Sequence, residues 1–132
     1  MLGNIPESIN YDFAKVPDTT NLSGVTKEGR QDNIKKLKSG LPVNLVRDYK
    51  NEYDKNAIKV FAELNNENID IGWIPAWLAK ILAPEIDAGI YWYGEVDKIT
   101  GECYDTKGIV IKLKYKNQRL QIKESVKNEE SK

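Results

Sequence analysis

The sequence predicts a mainly β domain with two short helices, packed as a small antiparallel barrel. Alternation of apolar and polar side chains recurs in about five stretches, polar connections separate them, and only two stretches carry helical spacing. At 132 residues the chain can bury enough surface for one core. An open sandwich, or a sheet with helices on one face, satisfies the same pattern.

Residues 1–21 are rich in Asn, Pro, Asp and Thr without a sustained period, which suits an extended lead-in whose Ile5, Ile9, Tyr11 and Phe13 are able to latch onto the body. The body spans 22–117. In "TKEGRQDNIKKLKSG", Ile34 and Leu37 stand three apart and basic residues precede Gly40, the pattern of a short helix closed by a left-handed glycine. "VNLVRD" sets Val43, Leu45 and Arg47 against Asn44, Val46 and Asp48, and "AIKVFAEL" sets Ile58, Val60 and Ala62 against Lys59, Phe61 and Glu63. These are expected to be neighbouring antiparallel strands. "NNEN" is a tight connection to a third strand, "IDIGWI", and Pro75 marks the change to a helix.

That second helix, "AWLAKILAPEIDAG", puts Trp77, Leu78, Ile81 and Leu82 on one stripe. Pro84 lacks the amide that would bond back to Lys80, so the helix is expected to kink there, or to end just before it and restart toward Gly89. "IYWYGEVDKI" and "GIVIKLKY" are two further strands joined by "TGECYDTKG". Residues 118–132 form a strongly polar tail, expected to be partly disordered because it gains too little burial to offset ordering.

Twenty basic and twenty acidic side chains cancel, which argues against a globally attractive field for nucleic acid or membrane and leaves room for a local patch. With no histidine and one cysteine, Cys103, the chain has no internal disulfide, no Cys/His zinc site and no histidine triad. There is no apolar run long enough to cross a bilayer and no signal-peptide pattern. The sequence calls for no cofactor, metal or membrane, and a cytoplasmic monomer is expected.

The segment "NEYDKNAIKVF", from Asn51 to Phe61, concentrates polar groups in one turn. Asn51, Asp54 and Asn56 can bond nearby backbone amides and nucleate the turn, with the Tyr53 ring buried and its hydroxyl at the edge. Such a role needs no ligand. Around the turn lie Arg47, Lys50, Lys55 and Lys59, and earlier in the chain Lys27 and Arg30, a local supply of phosphate contacts despite zero net charge. Trp73 and Trp77 flank Pro75, while Trp92 alternates in face with Tyr91 and Tyr93. Two of the three tryptophans are expected in the core. That leaves Trp73, Tyr91 and Tyr93 as candidate stacking surfaces. Lys112, Lys114 and Lys116 share one strand face, and Arg119 and Lys123 follow; a solvated face is the default for them, a phosphate track the alternative.

The ordered blocks "GVTKEGRQ", "LVRDYKNEYDKNAIKV", "IGWIPAWLAKILAPEIDAG" and "GEVDKITG…GIVIKLKY" resemble the HIRAN domain over roughly 22–115. The block from Arg47 to Val60 carries most of the likeness. The resemblance implies a modified OB-like antiparallel barrel, of a kind found alone in bacteria and phages and as an amino-terminal module of eukaryotic fork-remodelling helicases. In helicase-like transcription factor that module binds the free 3′-hydroxyl end of single-stranded DNA. Carried over, Asn51, Tyr53 and Asp54 become the candidate end pocket. The eukaryotic module has a basic-aromatic pair where this chain has Thr26 and Lys27, and an aromatic where this chain has "DKITG"; either Arg30 is then the platform for a base, or the chain has a weaker or different nucleic-acid specificity.

A terminal nucleotide offers a flat base and a sugar hydroxyl, so Tyr53 can stack while Asp54 accepts the hydroxyl proton. The resulting expectation is a non-catalytic nucleic-acid-binding module for single-stranded DNA or a free 3′ end, in DNA repair, replication or a mobile element, alongside a protein partner such as a helicase or nuclease. A protein-interaction or regulatory module using the barrel and helix surface is the competing class. A carboxylate nuclease accessory is weaker still, because the acidic residues from Glu28 to Asp97 have no spacing that forces convergence on a metal.

Overall fold

The computed structural model describes residues 16–101 and 105–117. Among them the chain forms β1 (Thr19–Asn21), α1 (Arg30–Ile34), β2 (Pro42–Arg47), β3 (Ile58–Leu64), β4 (Glu67–Trp73), α2 (Ala76–Asp87), β5 (Ile90–Thr100) and β6 (Gly108–Asn117). Ile5, Ile9, Tyr11, Phe13, Cys103, Arg119 and Lys123, with the whole 118–132 tail, lie outside the described residues. The lead-in ends in a strand: Thr19, Thr20 and Asn21 pair with Lys112, Ile111 and Val110 of β6.

All strand pairs are antiparallel and the order across the sheet is β1-β6-β5-β2-β3-β4. The β2–β3 pairing follows the alternation in the sequence, with Val43 opposite Ala62 and Leu45 opposite Val60, all on the core face. Asn65 and Asn66 both adopt positive φ, 53° and 65°, the backbone of a two-residue hairpin turn that asparagine tolerates better than most residues.

The mainly β character and the two helices agree with the sequence, but the barrel does not. The sheet is open, with β1 and β4 at its edges. Those edges meet at one isolated bridge, where Ser23 and Trp73 exchange backbone hydrogen bonds of 2.8 and 3.0 Å. Closure needs a ladder along the first and last strands. β1 is three residues long, Gly24 at φ +69° turns the chain away immediately after Ser23, and Pro75 has no amide to extend the ladder beyond Trp73. The expected OB-like barrel is therefore an open six-stranded antiparallel sheet, pinned at one corner.

The core is a single apolar cluster. Ile34 and Leu37 from the α1 region and Leu78, Ala79, Leu82 and Ala83 from α2 pack with the inward residues of the strands, among them Val43, Val60, Ile71, Trp92, Val96 and Ile111. Two details of α2 depart from the sequence pattern. Trp77 faces outward, 57% exposed, because Leu78, Ala79, Leu82 and Ala83 make the buried stripe and position 77 falls beside it. The helix also continues through Pro84 to Asp87. Lys80 is exposed, so water can take the hydrogen bond that the missing Pro84 amide would have made. Only Trp92 of the three tryptophans is fully in the core; Trp73 is half-buried.

Glu85 is the one buried acid among the described residues, 4% exposed, and its carboxylate accepts a 3.3 Å hydrogen bond from Trp92 Nε1. Burial pushes the Glu85 carboxyl above its ordinary value of 4.5, with the Trp92 hydrogen bond opposing. The folded chain then holds this proton to higher pH than the unfolded chain, so stability falls as pH rises from 4.5 through the raised value. Glu85→Gln should keep the Trp92 contact and melt roughly 2–5 °C above the wild type at pH 7, with the difference vanishing near pH 4 in thermal denaturation.

Candidate nucleic-acid interface

The pinned corner of the sheet opens into a cleft of about 640 Å³. Its walls come from three places: the segment after β1 (Ser23, Gly24, Lys27, Arg30), the turn between β2 and β3 (Asn51, Tyr53, Asp54) and the end of β4 leading into α2 (Trp73, Ile74, Ala76).

The turn builds itself from its own side chains. Asn51 Oδ1 accepts from the amides of Tyr53 and Asp54, both at 2.9 Å, and Asp54 Oδ1 accepts from the Asn56 amide at 2.8 Å. Asp48 receives the Lys50 amide and the Asn51 side-chain amide. These are the side-chain-to-backbone bonds that make Asn and Asp turn formers. What the turn leaves over is informative. The Tyr53 ring is 96% exposed, and the second Asp54 carboxylate oxygen makes no hydrogen bond among the described residues. The burial expected for Tyr53 from sequence is corrected: the Asn51 bonds turn its backbone so that the ring points away from the body.

Arg47 holds this turn in place. Its guanidinium donates to the carbonyls of Ala57 (2.9 Å) and Lys55 (3.2 Å) and to Asp87 at the end of α2 (3.1 Å), and it lies 4.6 Å from the Tyr49 ring centroid. Tyr49 Oη donates to the same Asp87 at 2.6 Å. Burial pushes the Asp87 carboxyl up, but the bonds from Arg47 and Tyr49 overbalance it and hold it below its ordinary value. Arg47 therefore spends its donors on the fold.

Arg30 is 3% exposed, unusual for a charge unless it is paired. Its Nε donates to Asp70 Oδ1 at 2.9 Å, Nη1 to the Gly24 carbonyl at 2.9 Å and Nη2 to Glu28 at 3.4 Å. The other Asp70 oxygen meets Lys59 Nζ at 2.8 Å. Both cations lie against Trp73, with Lys59 Nζ 4.2 Å and Arg30 Cζ 6.0 Å from its ring centroid. A β-carbon at Gly24 would come within 3.0 Å of Trp73 Cδ1 and 3.4 Å of Arg30 Nη1, so glycine is needed for this packing as well as for its positive φ.

Of the residues singled out from sequence, the cleft brings together Lys27, Arg30, Asn51, Tyr53, Asp54 and Trp73. Arg47 and Lys59 line a neighbouring groove with Val46, Asp48 and Phe61, and Trp73 is common to both. Lys55 is exposed and lines neither. Tyr91 and Tyr93 stand apart from the cleft, stacked on each other at 5.1 Å between centroids. The cleft's charges partly cancel, Lys27 and Arg30 against Glu28 and Asp54. Among the described residues, no group of three or more His, Cys, Asp or Glu is arranged to hold a metal, and no helix is long and apolar enough to cross a membrane.

The model of the HIRAN domain matches residues 21–129. The chain belongs to the HIRAN domain family. Membership supports a nucleic-acid-binding, DNA-related role for it. A search of curated proteins finds no match. Among solved structures, this HIRAN domain is similar to a protein from Lactobacillus plantarum, with a TM-score of 0.57 and 24% identity, covering 74% of this chain and 93% of that one. At that identity the likeness speaks for the fold.

Asp70 is the residue that sequence reasoning does not single out for the site. Alternation along β4 gives no hint that its carboxylate couples Arg30, forty positions earlier, to Lys59. Burial pushes the Asp70 carboxyl up, but the bonds and charges of Arg30 and Lys59 outweigh it and hold it below its ordinary value of 3.8. A depressed acid contributes stability above its unfolded value that is lost as pH falls through its folded one. Wild-type stability should therefore drop on acidification between about pH 5 and pH 2, and Asp70→Asn should flatten that slope. At pH 7 the same variant leaves Arg30 buried without its partner and should lose about 2 kcal/mol or more in urea denaturation.

Proposed function

We propose that this HIRAN domain is a non-catalytic module that binds single-stranded DNA and receives a free 3′ end in the cleft between the turn and Trp73. The observation that carries this reading is Tyr53, an almost fully exposed ring on a cleft that also has an indole in its wall. An aromatic that packs against nothing in its own chain buries its face only on a ligand. A nucleobase stacked there is worth about 1–3 kcal/mol.

Asp54 supplies the end chemistry. One carboxylate oxygen is taken by the Asn56 amide, which leaves the other to accept from an incoming donor. A sugar 3′-hydroxyl can donate to it, whereas a phosphodiester or a 3′-phosphate brings negative charge against negative charge. Lys27, exposed on the same cleft, is suited to the adjoining phosphate. Arg30 contributes as a buried cation behind Trp73. Trp73 takes the part for which the sequence offers no aromatic at Thr26 and Lys27.

Ten-nucleotide strands that differ only in a free or phosphorylated 3′ end test this by fluorescence anisotropy at two salt concentrations. The free end should bind more tightly, and both should weaken with added salt. Tyr53→Ala should lose about tenfold in affinity for both strands. Asp54→Asn should bring the two affinities together. Equal affinity for free and blocked ends in the folded wild type would sink the assignment.

A further inference from the structure

We propose that the outward face of the sheet is a second binding surface, a track that carries the nucleotides immediately 5′ of the terminal one. It takes its direction from the end-binding reading above, but apart from Trp73 it rests on residues outside the cleft. Register places them. With Val43, Leu45, Val60, Ala62, Trp92 and Val96 turned to the core, the alternate residues of β2, β3 and β5 face away from it. Across the strands, Phe61 stands opposite Asn44, Asn44 opposite Tyr93 and Tyr93 opposite Lys114. The neighbouring rungs carry Trp73 opposite Lys59, Lys59 opposite Val46, and Tyr91 opposite Lys116.

This face has the composition of a single-strand platform: aromatic rings at intervals, with cations between and beyond them. Trp73 stands at one end, Phe61 and Val46 in the middle, and the stacked Tyr91–Tyr93 pair at the other. Val46 is 47% exposed and Tyr91 36%, although both are large and apolar in a strand. Lys59 lies over Trp73, and Lys116 Nζ lies 5.6 Å from the Tyr93 centroid. Carboxylates share the face: Asp70 pairs with Lys59, Glu95 with Lys114 at 3.2 Å, and Glu63 accepts from the Asn44 amide. Lys114 is half exposed in its pair, so a phosphate can compete for it, and Lys116 has no carboxylate partner among the described residues.

Continuity with the cleft decides the occupant. Trp73 is a wall of the cleft and of the groove that holds Lys59, Phe61 and Val46, so a strand whose last nucleotide sits in the cleft leaves it across this indole. From β4 to β6 are four strand spacings of ~4.8 Å, a path of ~19 Å, long enough for several nucleotides.

Strands of two, four, six and eight nucleotides with free 3′ ends provide the test, each against wild type, Asp54→Asn, and the double variant Tyr91→Ala with Lys116→Glu. Both altered positions are exposed, and unchanged melting would show the fold intact. Wild-type affinity should rise about tenfold or more from two to six nucleotides and then level off. The double variant should bind the dinucleotide as wild type does and lose most of the gain with length. A wild-type affinity that does not grow with length, or a gain that the double variant keeps, overturns the track while leaving end reading untouched. Length-dependent binding sensitive to the double variant but unchanged in Asp54→Asn supports the track and overturns end reading. Absence of binding at every length overturns both.

Discussion

A buried guanidinium sets the shape of the candidate interface. Arg30 is withdrawn from water at the start of α1, and a charge so placed must be compensated on all sides. Its partners come from different parts of the chain: the Gly24 carbonyl after β1, Glu28 before the helix, and Asp70 in β4. Meeting these demands ties the short helix and the β1 exit to the far edge of the sheet. The Asn33 side chain adds a 2.8 Å bond to the Asp70 carbonyl. The result is the corner where Ser23 bridges Trp73, and with it the position of the indole between cleft and groove. A helix of five residues has little stability of its own, so this polar clamp, with Ile34 in the core, holds it in place.

The turn from Asp48 to Ala57 divides its labour. Asn51, Asp48 and one oxygen of Asp54 satisfy backbone and side-chain amides, and Arg47 takes the outward carbonyls of Lys55 and Ala57. The turn is thus held by its own polar groups without apolar packing of Tyr53. These bonds fix the backbone that carries Tyr53, whose ring stands in water. The same polar groups that bend the chain thus decide which groups remain for a ligand.

Net charge is a poor guide to such a surface. Four of the cations in and around the site are already paired: Arg30 and Lys59 on Asp70, Arg47 on Asp87, Lys114 on Glu95. Attraction to a polyanion then depends on exchange of partners and on the cations left outside such pairs.

Local pattern was enough to determine β2, β3 and the turn between them, though not β1, whose three residues read as part of the lead-in. The alternation in "VNLVRD" and "AIKVFAEL" specifies which side chains are buried, because a strand's period of two admits one register against a core. The polar cluster at 51–56 likewise specifies a turn, because Asn and Asp bond their own neighbours' amides. Three things lay beyond that reach. Whether the sheet closes depends on how two edges distant in sequence approach each other, and a three-residue β1 beside Gly24 leaves them one bridge. Arg30, which reads as an exposed platform, is drawn inside by Asp70, a partner that no spacing rule connects to it. Trp77, Trp73 and Trp92 look alike in sequence, yet neighbouring elements turn one out, leave one as the wall of the cleft and bury the third. Hydrogen-bond patterns within a few residues are written in the chain; pairings between distant segments are settled only when the whole surface has found its neighbours.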